Sequence, residues 1–207
     1  MMRSTSFHRL LMCVLAFVAN QATAAVPPAP KLPADAYFLM DATTGQVLVD
    51  HNGDLSLPPA SLTKIMTSYV LAEEVDAGRA SLDDMIKVSR NAWSQNPTFK
   101  GSSLMWIEPG KPVSLADLER GVVISSGNDA SVAVAEHLAG TESSFVDVMN
   151  QLAAELGLDN TVYRNPHGLP HPEHRTTARD LATLSVALIN GHPEHYKIYK
   201  EQSFTYN

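Results

Sequence analysis

Apolar residues follow two different periods along this chain, and the changes between them set its elements. Tyr37-Phe38-Leu39-Met40 and Gln46-Val47-Leu48-Val49 are short β-rich runs, and the Asp41-Ala42-Thr43-Thr44-Gly45 stretch between them predicts a hairpin. From Leu62 the spacing turns helical: Leu62, Ile65, Met66, Tyr69 and Val70 share one face, Pro59 fits the first turn, and Gly78 marks the stop. Met85 to Val88 reads as a short strand, and residues 89 to 112, rich in Asn, Pro, Gly and Ser, as an ordered loop. Trp93, Phe99, Leu104 and Trp106 are expected to pack beneath that loop rather than form a ligand platform.

Ser114-Leu115-Ala116-Asp117 has the form of a capping box, and Leu115, Leu118 and Val122 continue as a helical stripe until Ser125-Ser126-Gly127-Asn128 breaks it. Asp129 is placed to cap the next helix, which runs to Gly140. Phe145, Met149, Leu152 and Leu156 define an amphipathic helix closed by Gly157. Thr161 to Asn165 reads as a strand. Thr177-Ala178-Arg179-Asp180 opens a helix with Leu181, Leu184 and Leu188 inward and Gly191 after it, and Ser203 to Tyr206 begins an extended run.

Composition adds the compartment. At 207 residues, 44% apolar and 18% charged, the chain is long enough for one domain with a real core. Arg3, His8 and Arg9 precede the apolar run Leu10 to Ala19, and Ala22-Thr23-Ala24 has the small-x-small form of a cleavage site, so residues 1–24 read as a secretory signal. A Pro-rich leader, 25–35, separates it from a domain over 36–207. The only cysteine, Cys13, lies in the signal, which leaves the exported part without a thiol or a disulfide. Losing Arg3 and Arg9 takes the formal charge from −7 to −9, which argues against a nucleic-acid partner and leaves no polybasic membrane patch.

Two clusters carry candidate chemistry. Ser61 and Lys64 stand three residues apart at a helix start, close enough for the amine to reach the hydroxyl. A serine becomes a nucleophile when a neighbour takes its proton, and a lysine can do so once burial destabilises its ammonium. Ser61 is the only one of the 18 serines with lysine three positions on, yet about one such pair arises by chance. The second cluster is Ser126-Gly127-Asn128, in the break between two apolar helices, where a hydroxyl can relay a proton and an amide can bind an amine and a carbonyl. Turn statistics alone make it a helix-to-helix connection with Asn128 as a cap.

The remaining polar groups carry less. His167, His171, His174 and Glu173 crowd a short stretch, but Pro170 and Pro172 prevent a helical ligand face, so no metal site is expected there and no cofactor is called for. Glu73-Glu74 and Asp83-Asp84 read as solvated pairs.

Together, Ser61-x-x-Lys64 and Ser126-Gly127-Asn128, 65 positions apart, resemble the first two motifs of penicillin-binding proteins. Pro58 to Thr67, Gly101-Ser102-Ser103-Leu104-Met105, Ser126 to Ala130, His167-Gly168-Leu169 and Thr177 to Asp180 are similar to the low-molecular-mass serine-type D-alanyl-D-alanine carboxypeptidases, from about Ala36 to Asn207. The resemblance implies an α/β (α+β) fold, a β-lactamase/transpeptidase-like sandwich with a helical subdomain over roughly 60–200. It implies Ser61 as nucleophile, Lys64 as its base, Ser126 as proton shuttle and Asn128 as the group that orients Lys64 and holds the substrate amide. The substrate would be the peptidoglycan stem peptide, β-lactams would be inhibitors, and the location would be the periplasm or the outer face of the bacterial cytoplasmic membrane.

The family's third motif, Lys-Thr-Gly, is nowhere in residues 1–207. The expectation is therefore a domain truncated before that motif, lacking the C-terminal strands and the C-terminal membrane helix, and inactive alone. A serine β-lactamase would need a deacylating glutamate between Asn128 and Thr177, and no convincing counterpart stands there. An endopeptidase would differ in what it releases, and a catalytically silent wall-binding scaffold would have no need of Ser61, Lys64, Ser126 and Asn128.

Overall fold

The computed structural model describes residues 28–206, so the expected signal segment and Cys13 lie outside the described residues. Contacts divide the chain into a unit of Met1–Pro33 and a unit of Ala34–Asn207, and every element below belongs to the second.

The hairpin forms as expected. β1 (Tyr37–Met40) pairs antiparallel with β2 (Val47–His51), Leu39 opposite Val49, with a bulge between Leu39 and Met40. Asp41 makes the turn, its Oδ1 accepting from the Thr43 and Thr44 N–H groups. α1 (Thr63–Asp76) follows a 3-10 turn at Ala60–Leu62, so Ser61 stands in the tight turn that leads into the helix rather than in its first α turn. α1 is buried on most sides, with Met66, Val70, Leu71 and Ala72 each at 1% exposure or less.

β3 (Met85–Lys87) finds a partner that the pattern did not announce, β4 (Pro112–Ser114), at the end of the expected loop. Ser114 then caps α2 (Leu115–Val123) by accepting from the Asp117 N–H. α3 (Asn128–Ala139) is the central helix: Ala130, Val132, Ala133, Val134 and Ala135 are all buried. α4 (Glu142–Glu155), capped by Thr141, buries Phe145, Val146, Met149 and Ala153 against it. α5 (Ala178–Gly191), capped by Thr177, and the short α6 (Pro193–Tyr196) complete the order. α1 packs on α2, α3, α4 and α5, and α5 also covers β1. Full burial of side chains such as Phe145 and Leu118 contributes roughly 2–3 kcal/mol each.

Two expectations are corrected. Thr161 to Asn165 is not a strand: only Val162 pairs, with Arg175, while the Asn150 side chain binds the N–H and C=O of Tyr163 and so takes the place of a neighbouring strand. Trp106 does not pack beneath its loop. It is 72% exposed, whereas Phe99 is buried and Trp93 and Leu104 are half-buried.

Candidate active site

The site is built where the start of α1, the turn before α3 and the loop before α5 converge. Lys64, in the first turn of α1, is only 4% exposed, and its Nζ donates to Asn128 Oδ1 at 2.7 Å and to the His167 carbonyl at 2.7 Å. Both acceptors are neutral oxygens. Burial accordingly lowers the Lys64 pKa from 10.5 to about 8, with the Asp129 carboxylate pulling it partly back up. An amine so placed is deprotonated in an appreciable fraction near neutral pH, which a surface lysine is not.

Ser61 is exposed, one turn from Lys64, at the mouth of this arrangement. Its backbone is aimed by Ala60, whose φ of +48° lies in the left-handed region. Gly168 makes that conformation feasible from across the site. A methyl group on it would sit 1.8 Å from the Ala60 carbonyl oxygen, and its own φ is +88°. Ser126 is half-buried with φ +54°, and Asn128 is buried as the first residue of α3, its side chain given to Lys64 rather than to capping. Lys64 and Asn128 thus meet directly, and Ser61 and Ser126 belong to the two turns that bring them there.

Several contributors carry no signal in a linear reading. Asp129 does not cap α3; Gly127 occupies the cap position. The Asp129 carboxylate is fully buried and accepts from the N–H groups of Met105, Trp106, Ile107 and Ala130. It therefore staples the 103–107 segment to the Ser126 turn, and the Asn128 N–H reinforces the staple by donating to the Ser103 carbonyl. The loop before α5 is held in the same way: Asn165 Oδ1 accepts from the His167 and Gly168 N–H groups, and Thr67 Oγ1 donates to the Pro166 carbonyl at 2.6 Å. This fixes the His167 carbonyl against Lys64, a role that only the glycine beside it could have suggested.

The histidines go to separate partners. His174 is pushed down to about 4 by burial first and then by His167, His171 and Arg164, so it is neutral. Its Nδ1 accepts from the Arg164 N–H, which leaves the proton on Nε2 to donate to Thr63 Oγ1 at 2.9 Å. His167 Nδ1 accepts from the Leu169 N–H, and His171 Nδ1 from the Glu173 N–H. Among the described residues no group of three or more His, Cys, Asp or Glu has the geometry to hold a metal ion.

A hydroxyl at a strained turn, a buried low-pKa amine, and a Ser-Gly-Asn turn closing on that amine are thus brought together on a mixed α/β scaffold. Solved structures show the same fold. Penicillin-binding protein 6B from Escherichia coli superposes with a TM-score of 0.85 at 45% identity over 89% of this chain and 58% of that one. Penicillin-binding protein D2 from Listeria monocytogenes, in its ampicillin-bound form, gives 0.72 at 28% identity over 87% and 71%. The D-alanyl-D-alanine carboxypeptidase (peptidase S11) family matches residues 20–207, and the chain belongs to that family. A D-alanyl-D-alanine carboxypeptidase of Escherichia coli, DacC, is 48% identical over 93% of this chain and 47% of its own length. The chain spans about half the length of the curated relatives it matches.

Proposed function

We propose that this chain carries the acylating half of a serine-type D-Ala-D-Ala carboxypeptidase, with Ser61, Lys64, Ser126 and Asn128 as its working groups. The single observation that carries the reading is the buried Lys64 amine, bonded to Asn128 and His167 and held near a pKa of 8. Lys64 Nζ takes the Ser61 proton as Ser61 Oγ attacks the carbonyl carbon between the two terminal D-alanines of a peptidoglycan stem peptide. The tetrahedral oxyanion forms at the head of α1, where the Ser61 N–H and the helix dipole favour negative charge. Ser126 passes the proton to the departing amine nitrogen, the C–N bond breaks, D-alanine leaves, and an ester remains on Ser61. Water then attacks that ester with Lys64 again as base, releasing the shortened peptide. Asn128 keeps Lys64 oriented and receives the substrate amide. A β-lactam presents an amide of the same kind and acylates Ser61.

The residues of the proposed catalytic domain are 36–207, preceded by the proposed leader 25–35 and export signal 1–24, and the proposed location is the periplasm or the outer face of the cytoplasmic membrane. Among the described residues no helix is long and apolar enough to cross a membrane. The chain holds no Lys-Thr-Gly or Lys-Ser-Gly, the motif whose lysine the family resemblance assigns to the substrate carboxylate, and we propose that it is inactive alone. A fluorescent penicillin tests both statements. It should label the complete gene product at Ser61, lose that labelling in Ser61→Ala, and leave the 207-residue chain unlabelled. Release of free D-alanine from a pentapeptide should accompany labelling, and a complete product that takes no penicillin would refute the assignment.

A further inference from the structure

Trp106 is the largest exposed side chain near this site, and its backbone is in an unfavourable conformation. The indole is 72% exposed while its neighbours Met105 and Ile107 are 5% and 1% exposed. Its φ is +67°, a region that disfavours a bulky residue. Neither feature stabilises the fold. The buried carboxylate of Asp129 holds the arrangement by accepting the Trp106 N–H at 2.9 Å together with those of Met105 and Ile107. Asp129 is the residue after Asn128, so one clamp fixes both the exposed indole and the amide that holds Lys64. Beside the indole runs a groove of about 280 Å³ lined by Leu104, Met105, Ser125, Phe204, Thr205 and Tyr206, with the Phe204 and Tyr206 rings stacked at 6.4 Å. Ser125 precedes the Ser126 of the turn, which joins the groove to the site. Strain at an exposed aromatic side chain, maintained by a buried charge, is what a binding platform requires and what a structural residue does not.

We infer that Trp106 is a specificity-determining residue that docks the peptide upstream of the scissile bond, stacking its indole on the amide planes and aliphatic side chains of the acyl donor. The inference rests on the carboxypeptidase reading and adds to it how the site prefers a long stem peptide over a bare dipeptide. A peptide advances about 3.3 Å per residue, so a donor extending along the groove from the carbonyl at Ser61 presents two or three residues to this wall. N-acetyl-D-Ala-D-Ala has no such segment.

The test is the ratio of kcat/KM for a pentapeptide ending in D-Ala-D-Ala to that for N-acetyl-D-Ala-D-Ala, measured on the complete gene product. Trp106→Ala should lower this ratio roughly tenfold through loss of stacking, with Trp106→Phe intermediate. Trp106→Gly separates binding from structure: glycine accepts the left-handed backbone, so the Tm should hold or rise while the ratio falls as in the alanine variant. A ratio unchanged within twofold in both the alanine and the glycine variant overturns the inference, as does a glycine variant whose Tm falls by several degrees with the ratio intact. If the wild type releases D-alanine from both substrates and the variants keep the wild-type ratio, only this inference fails. If the wild type releases it from neither, the carboxypeptidase reading fails with it.

Discussion

The depressed pKa of Lys64 can be read as a stability difference. Its ammonium titrates at 10.5 in the unfolded chain and at about 8 in the folded one, because burial among neutral acceptors disfavours the charge. Below pH 8 the amine is charged in both states, and the fold bears the full penalty of roughly 3 kcal/mol. Between pH 8 and 10.5 the unfolded chain binds more protons than the folded one, so stability rises with pH across that window. Lys64→Met removes the titrating group. It also leaves Asn128 Oδ1 and the His167 carbonyl unpaired, but that cost does not vary with pH. Denaturant unfolding of wild type and Lys64→Met at pH 7 and pH 10 should therefore show the wild type gaining about 2.5 kcal/mol relative to the variant. Other groups titrate equally in both proteins and cancel. The Lys64 ¹³Cε shift should report the same midpoint directly, and the acylation rate of the complete gene product by penicillin should climb towards a plateau at that pH. Parallel stability curves, or a midpoint near 10.5, would show that the amine is solvated and would remove it as the resting-state base.

Three further perturbations follow from the contacts around the site. Gly168→Ala places a methyl against the Ala60 carbonyl at a positive φ, so it should cost about 3 kcal/mol in chemical denaturation and slow penicillin acylation by displacing Ser61. Asp129→Asn turns an amide donor towards N–H groups that the carboxylate now accepts, and a loss of about 3 kcal/mol together with lowered acylation is expected. His195 Nδ1 lies 2.5 Å from the buried Glu119 carboxylate, which raises the imidazole pKa above 6.5. This pair's contribution is fully present below pH 6.5 and is lost as pH rises through the raised value, so Glu119→Gln should flatten the wild-type decline of Tm over that range.

Much of the fold was legible because its helices bury whole faces. The Leu115, Leu118 and Val122 stripe and the Phe145, Met149 stripe need no knowledge of their partners to be recognised, and Ser114 and Thr177 announce the helix starts they cap. The failures share a cause. β4 is three residues long and begins with proline, so it becomes a strand only because Met85 to Lys87 lies opposite. Thr161 to Asn165 has strand-like residues, yet the Asn150 side chain and not a strand takes its hydrogen bonds. Trp106 was expected inside because indoles usually are, and nothing local reveals that a carboxylate 23 residues away holds the backbone so that it points out.

The same contrast runs through the site. Ser61, Lys64, Ser126 and Asn128 were named as candidates from residue type, spacing and the family resemblance, because the proposed chemistry rests on their side chains. The groups that arrange them act through the backbone, where residue type says little: the His167 carbonyl on Lys64, the Ala60 carbonyl against Gly168, and the amides of 105–107 on Asp129. Three residues other than glycine with left-handed backbones, Ala60, Trp106 and Ser126, stand in the turns and loops around the site. Each costs of order 1 kcal/mol, and the buried Lys64 ammonium adds to the burden. A sequence selected for stability alone would relax all four with glycines and an apolar residue at 64. Their coincidence around one hydroxyl is what the proposed function requires: the fold's surplus stability, supplied by α3 and the helices packed on it, would hold the proposed nucleophile, its proposed base and the inferred substrate wall in fixed relation.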